Sequence, residues 1–594
     1  MVLWYTRFMK KNNPRLQKLK TDFSLDIGDK PLQEYPRPQF QRESYVNLNG
    51  WWQYAICDSK ETPSQFDGKI LVPFSPETEL SGVERQLLPN QFLHYYTTFS
   101  LKENFNQGKV LLHFGAVDSI CWVYLNGSLV GHHVGGYNAF FFDVTKWLKE
   151  TNDLHVVVQD FGDTSYHTNG KQSFNRGGMW YSPQSGIWQT VWLESVPNEW
   201  LRGVKMTPNV NDQTITFDFD KDNVGVQISI FDQGQQIACV QTEQQSCTIK
   251  IDNAKLWSPE SPFLYDVHFV LGQDKVKSYF AMRSVYIQRV DGKPRIMLNN
   301  KPYFHNGLLD QGYWADGWYT APSDKALEYD VIVAKEMGFN MLRKHIKVEP
   351  MRWYWHCDRL GMLVWQDMPS GGTYQNLWIT LWLPFAIKLQ KLSDKNPKRF
   401  SRKPKESQEQ FKVELKEMVD QLYNCPCICV WVPFNEGWGQ FDSANVSSWL
   451  KQYDPTRLVD HASGWHDQGA GDFLSLHIYY RKVKIPKKDK KGRAIVLSEF
   501  GGYSYKDQEH CFNLDEIYGY GGKDIVNAKL LTDALENLYL NQVLPCIEKG
   551  LCASVYTQLS DVEDETNGIV TYDRKVVKVE KDRMKKINER MIIQ

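Results

Sequence analysis

Two stretches decide how this chain is read: Cys429-Val430-Trp431-Val432-Pro433-Phe434-Asn435-Glu436 and Ala494-Ile495-Val496-Leu497-Ser498-Glu499. Each is a short apolar run that closes on a polar tip and an acid. A strand buried on both faces reads as a continuous apolar run, and a parallel barrel delivers functional groups at the C-terminal ends of such strands. Two acids at one rim are sufficient equipment for cleaving a glycosidic bond. One protonates the leaving oxygen, and the other attacks the sugar or activates water. Either acid alone equally fits a solvent-facing strand end; the pair with its flanks points to chemistry.

Outward from these stretches, the chain after about residue 286 alternates strands with helices, the texture of an α/β unit. Eight candidate strands fall near 302–307, 339–343, 362–366, 429–435, 458–461, 473–477, 494–498 and 552–557, with amphipathic segments such as 324–337 and 408–423 between them. Eight such units over about 300 residues fit a (β/α)8 barrel spanning 286–594. Glu436 then ends the fourth strand and Glu499 the seventh. The basic stretch from Lys482 to Arg493 reads as a solvated loop between strands six and seven.

The first half has a different texture. Residues 1–30 are polar and irregular and read as an extension. Residues 31–196 carry short strands, among them Val110–Phe114, Ile120–Leu125 and Leu154–Val158, with Asn126-Gly127 as a hairpin signal. Several strands without helices indicate a jelly-roll β-sandwich. Residues 197–285 hold a second alternating set, Thr214–Phe219, Val226–Ile230, Thr248–Ile251 and Tyr265–Phe269, the size of an immunoglobulin-like sandwich.

Composition narrows the function classes. At 594 residues the chain exceeds a single core. Aromatics make up 14%, with 21 Trp, which suits stacking on the apolar faces of sugars as well as core packing. A net charge of −1 gives no sign of nucleic acid as a partner, and no apolar stretch reaches membrane-spanning length. The first residues lack a signal-peptide core, so a cytoplasmic location is expected. Eleven cysteines show no disulfide framework, and Cys425, Cys427 and Cys429 read as small buried residues entering a strand rather than as metal ligands. No metal-ligating cluster and no phosphate loop is evident, so neither a metal nor a cofactor is expected.

The chain resembles glycoside hydrolase family 2, the β-galactosidase, β-glucuronidase and β-mannosidase group, over nearly its whole length. Carrying the resemblance are Phe114–Asp118, Tyr124–Gly127, Gly135–Tyr137 and Ser185–Glu194 in the first domain, and Asn306-Gly307 and Met337–Arg343 in the barrel. Its most specific elements are Phe434-Asn435-Glu436-Gly437-Trp438 and Ser498-Glu499-Phe500-Gly501-Gly502. The resemblance implies a retaining exo-β-glycosidase in which Glu499 is the nucleophile and Glu436 the acid/base. That mechanism demands carboxyls about 5–5.5 Å apart, one protonated and one ionised.

It also implies that Asn435 binds the sugar 2-hydroxyl and that Arg343 orients Glu499. The family often places His three positions after that Arg, whereas His345 follows Arg343 by two. His477 and Tyr479 match positions near the nucleophile, Trp438 and Trp465 are candidate sugar platforms, and Asp310 and Gln311 are candidate readers of sugar hydroxyls. The glucuronidases of the family carry an Asn-x-Lys element that grips the substrate carboxylate. In the matching stretch Glu565-Thr566-Asn567 the Lys position holds Asn567, which lowers the expectation of a glucuronidase. A β-galactoside leads on family frequency, with α-L-arabinopyranosides and β-mannosides open alongside it. Some β-galactosidases of the family use magnesium, but no matching ligands stand out here. A non-catalytic carbohydrate-binding protein on the same scaffold is the competing class, and a homo-oligomer fits proteins of this build.

Overall fold

A computed structural model describes residues 14–220, 225–373, 379, 392–521 and 524–593. The first domain is a pair of antiparallel sheets. A six-stranded sheet carries Gly68–Val72, Gly50–Cys57, Phe92–Ser100, Thr151–Gln159, Ile120–Leu125 and Ser128–Val134 in that order. A four-stranded sheet carries Tyr45–Asn47, Val191–Val196, Lys109–Phe114 and Phe140–Asp143. Alternation sets the inward faces: in Ile120–Leu125, Cys121, Val123 and Leu125 are buried against Trp52, Val156 and Leu193. The hairpin at Asn126-Gly127 has positive φ at both residues, +52° and +79°. That pairing is what a two-residue turn matched to strand twist requires.

The second domain is a smaller sandwich of three strands (Val204–Asn209, Thr214–Phe219, Ser246–Lys250) on four (Gln235–Thr242, Val226–Asp232, Tyr265–Leu271, Asp274–Phe280). Phe217, Phe269 and Phe280 meet edge-to-face or nearly so between the sheets. Arg42 clasps the two sandwiches: its guanidinium donates to Asp274 at 2.9 Å on one side and to Glu194 at 3.2 Å on the other.

The barrel follows. Its strands are β1 (His305–Asp310), β2 (Met341–Lys344), β3 (Leu363–Asp367), β4 (Ile428–Val432), β5 (Leu458–Val459), β6 (Phe473–Ile478), β7 (Ala494–Phe500) and β8 (Leu551–Tyr556). The parallel ladder runs β5-β4-β3-β2-β1-β8-β7-β6. Across the remaining seam the Asp472 N–H donates to the Val459 carbonyl at 2.9 Å. Strands β3, β4, β7 and β8 are buried at every position, as continuous apolar runs require. Helices α1 (Asp324–Glu336), α2 (Met351–Leu360), α3 (Lys405–Leu422), α4 (Ser443–Tyr453) and α5 (Ala528–Leu538) accompany them. Ser323 caps α1 by accepting from the Ala326 N–H, and Asn527 caps α5 by accepting from Leu530.

Two of the strand limits that differ from the sequence reading do so at a proline. Pro302 closes a three-stranded meander (Val285–Val290, Lys293–Leu298, Lys301–Pro302), so β1 starts at His305 rather than 302. Pro433 has no N–H to extend the ladder, so β4 stops at Val432 and Glu436 stands on the loop beyond. Cys425, Cys427 and Cys429 are fully buried free thiols where the chain enters β4. The described part of the N-terminal extension is tied to the barrel: Leu16 bridges Asn513, and Asp316 accepts from the Thr21 N–H and hydroxyl at 2.8 Å. Among the described residues, no helix is long and apolar enough to cross a membrane.

Candidate active site

The ends of five strands, β2, β3, β4, β6 and β7, converge on one buried cluster. Arg343, on β2, is fully buried and holds three side chains and the Ser498 carbonyl at once. Nε and Nη2 donate to Asp367 at the end of β3, both at 3.0 Å, Nη1 donates to Glu499 Oε1 at 3.2 Å, and Nη2 also donates to Asn435 Oδ1 at 2.8 Å. A planar fork of five donors is the group suited to such a junction. Tyr479, just past β6, donates to the other Glu499 oxygen at 2.6 Å. Both oxygens of Glu499 are thereby anchored.

Glu436 approaches from the loop after β4 with φ at +53°, a left-handed conformation that costs a non-glycine residue energy and that clusters at functional sites. Its N–H donates to the Ser463 carbonyl at 2.9 Å, and Asn435 pairs with Ser463 as a parallel bridge. His477 ties the two acids together. Its Nδ1 lies 2.7 Å from Glu436 Oε1 and 3.5 Å from Glu499 Oε2, and its Nε2 lies 3.1 Å from the Ser463 hydroxyl. One oxygen of each acid and a ring nitrogen of His477 all lie within 4.8 Å of one another. The sequence reading found no metal-ligating set because these three residues come from separate strand ends. The cluster has the donor types for a divalent ion, and an ion seated there would occupy both acids.

Electrostatics separate the two acids. Burial and the charge of Glu499 push Glu436 above the ordinary glutamate range, against the pull of His477. Burial also raises Glu499, but His477, Arg343, His345 and Lys171 outweigh it and bring it down to about 2. Of the two, Glu499 ionises first and Glu436 keeps its proton to higher pH. Environments that drive two carboxyls apart in this way assign an acid and a base.

The remaining sequence candidates fall into three groups. His345 is buried with Nδ1 2.7 Å from Asp367 Oδ2, and burial followed by the charge of Lys171 pushes its imidazole well below the ordinary range. Trp465 meets His477 edge-on at 5.9 Å, and Trp438 stands perpendicular to Trp180 of the first domain at 4.7 Å. Asp310 is committed elsewhere, in a buried ion pair with Lys344 at 2.6 Å and as an acceptor from the Gly312 N–H. Gln311 donates to Gln558, which in turn holds Glu565 and Asn567.

Sequence reasoning passed over Asp367, Lys171 and Glu565. Asp367 closes the run Leu363-Val364-Trp365-Gln366-Asp367, the same apolar-run-plus-acid signature that marked Glu436 and Glu499. Lys171 arrives from another domain, and no periodicity in the chain marks it.

Comparison with known proteins bears on this geometry. Three family models match in succession: "Glycosyl hydrolases family 2, sugar binding domain" over residues 80–197, "Glycosyl hydrolases family 2" over 202–283, and "Glycosyl hydrolases family 2, TIM barrel domain" over 290–499. A putative beta-glucuronidase of Formosa agariphila is 28% identical over 444 residues, covering 66% of this chain and 48% of that protein. A beta-galactosidase of Thermoanaerobacter pseudethanolicus is 25% identical over 375 residues, covering 59% of this chain and 46% of that protein. The chain thus spans about half the length of the curated relatives it matches. Among solved structures, a beta-glucuronidase from an uncultured Clostridium sp. superposes with a TM-score of 0.72 at 18% identity, covering 95% of this chain and 99% of that one. A beta-galacturonidase of Eisenbergiella tayi bound to galacturonate gives 0.66 at 17%, covering 94% and 99%.

Proposed function

Because the chain belongs to glycosyl hydrolase family 2, we propose that it is a retaining exo-β-glycosidase acting by double displacement, with an uncharged, galactose-like sugar as glycone. The observation that carries this reading is the pair of acids, within 4.8 Å at their nearest oxygens and shifted in opposite directions. That proximity suits direct attack and is tighter than the ~6.5–9.5 Å that leaves room for water in an inverting site.

Glu499 attacks the anomeric carbon, forming a glycosyl ester as the bond to the leaving oxygen breaks. Glu436 gives that oxygen its proton. It then takes a proton from water, which attacks the anomeric carbon and breaks its bond to the Glu499 oxygen, releasing Glu499 as carboxylate. Two inversions at one carbon retain configuration. Arg343 and Tyr479 keep Glu499 ionised and aimed, and Asn435, fixed by Arg343, is placed to bind the 2-hydroxyl. The uncharged glycone follows from Asn567, which offers no cation, and from Glu565 beside it. The relatives divide between names of both kinds, several beta-galactosidase and one putative beta-glucuronidase, so the choice rests on these two residues.

The test is a panel of p-nitrophenyl β-galactoside, α-L-arabinopyranoside, β-mannoside and β-glucuronide, followed by proton NMR of the first product. Release from the galactoside with the β-anomer appearing first is expected. The α-anomer first, or no release from any member, contradicts the reading.

A further inference from the structure

The loop of residues 165–185 leaves the first domain and lies across the catalytic end of the barrel. Thr168 bridges Gly371 beyond β3, and the N–H groups of Asn169 and Gly170 both donate to the Ser370 carbonyl at 3.0 Å. Gly170 has φ +61°, and a Cβ there would stand 2.7 Å from the hydroxyls of Tyr137 and Tyr319. On the other side, Gln172 donates to Asp118 at 3.0 Å and to Tyr137 at 3.2 Å. Both neighbours of Lys171 are therefore pinned, and its direction is built into the domain junction.

Lys171 forms no ion pair among the described residues. Its ammonium lies 5.8 Å from the centre of the Tyr181 ring, and the Tyr181 hydroxyl donates to Glu565 on the barrel. Glu565 is buried, and the same oxygen also accepts from Gln558 Nε2 at 3.0 Å. Among the described residues both of these donors go to that one oxygen. Burial raises Glu565, and Lys171 is the largest influence favouring its ionised form; Lys171 also favours the ionised forms of Glu436 and Glu499, to a smaller degree than their other neighbours. One cation thus lies within electrostatic reach of three carboxyls.

We propose that Lys171 and Glu565 form a split donor–acceptor pair, one member from each domain, that binds hydroxyls of the glycone and cancels its own charge, so that the pocket takes neutral sugars and rejects uronic acids. This rests on the glycosidase reading above. An ammonium alone attracts a carboxylate strongly. With Glu565 beside it that attraction is already answered, and a sugar carboxylate would enter as a further anion with no partner of its own. Neutral hydroxyls use both members, donating to Glu565 and accepting from Lys171. Glu565→Gln keeps the size and an acceptor for Tyr181 while freeing the cation, and so opens the pocket to uronates.

The experiment titrates wild type, Lys171→Gln, Lys171→Arg and Glu565→Gln by calorimetry with galactose and galacturonate, and with glucose and glucuronate. Nitrophenyl glycoside kinetics and thermal melts run in parallel. Wild type should bind each neutral sugar at least about tenfold tighter than its uronate. Glu565→Gln should shift that ratio toward the uronate by about tenfold or more, the worth of one charged contact. Lys171→Gln should raise KM on the neutral glycoside by a similar factor with a smaller change in kcat, and Lys171→Arg should recover part of it. A folded Glu565→Gln with an unchanged ratio, a folded Lys171→Gln with unchanged KM, or a wild type that prefers uronates would overturn the proposal. Failure of the glycosidase reading shows separately, as absence of nitrophenol release by wild type while the calorimetric contrast is still read.

Discussion

Two glutamates a few ångströms apart behave differently because of what each touches. Glu499 receives Arg343 on one oxygen and Tyr479 on the other, while Glu436 meets His477 and keeps 16% of its side chain open, against 7% for Glu499. The more open acid is the one that must meet leaving group and water. A pH profile follows. The acidic limb of kcat/KM belongs to Glu499, held at about 2, and the alkaline limb to Glu436, raised above its ordinary value by burial and by its neighbour's charge. Activity needs the first ionised and the second protonated, so the profile is a bell lying between the two. With a dinitrophenyl glycoside, which leaves without protonation, Glu436→Gln should abolish the alkaline limb of kcat/KM. Persistence of that limb would assign it to another group. Glu436 and Glu499 were legible in the sequence because an acid at the end of an apolar run is a local pattern. Lys171 and Glu565 were not, since what makes them a pair is the docking of one domain on another.

At the level of elements, the loop after β5 and the end of β6 hold the acid/base in register. Gly464 has φ +85°, and a Cβ on it would stand 2.5 Å from the ring atoms of His477. Gly464→Ala therefore has to push the imidazole off Glu436 or unseat the loop. Displacing a group by about 1 Å at a reacting centre costs on the order of 100-fold. A fall of at least about tenfold in kcat/KM, in a variant that is folded but melts at a lower temperature, is expected; wild-type kinetics in a folded variant would show that His477 does not position Glu436. Strand positions were readable because β3, β4, β7 and β8 are buried on both faces and read as unbroken apolar runs. Their ends were less so: a proline stopped β4 short, and the meander through Pro302 took the residues first given to β1.

At the scale of the whole molecule, the order of sandwich, sandwich and barrel was legible from the change in periodicity near residue 286, a property of composition along the chain. The assembly of these parts was not. Arg42 joins Glu194 of the first sandwich to Asp274 of the second, and Arg283 reaches from the second to the carbonyls of Pro426 and Ile428 at the foot of β4. Such contacts link residues far apart in sequence and leave no local trace. They nevertheless fix where the 165–185 loop lands on the barrel rim, and so the composition of the site.

The central claim is the division of labour between Glu499 and Glu436, and azide tests it most directly. In Glu436→Ala, a dinitrophenyl glycoside still forms the glycosyl-enzyme, and azide, which needs no deprotonation, releases it from the face opposite Glu499 as the β-glycosyl azide. In Glu499→Ala no glycosyl-enzyme forms, and azide entering the vacated face gives the α-azide. Proton NMR of the anomeric signal reads the outcome. The β product from Glu436→Ala and the α product from Glu499→Ala are predicted; the opposite pairing would reverse the two roles and contradict the account.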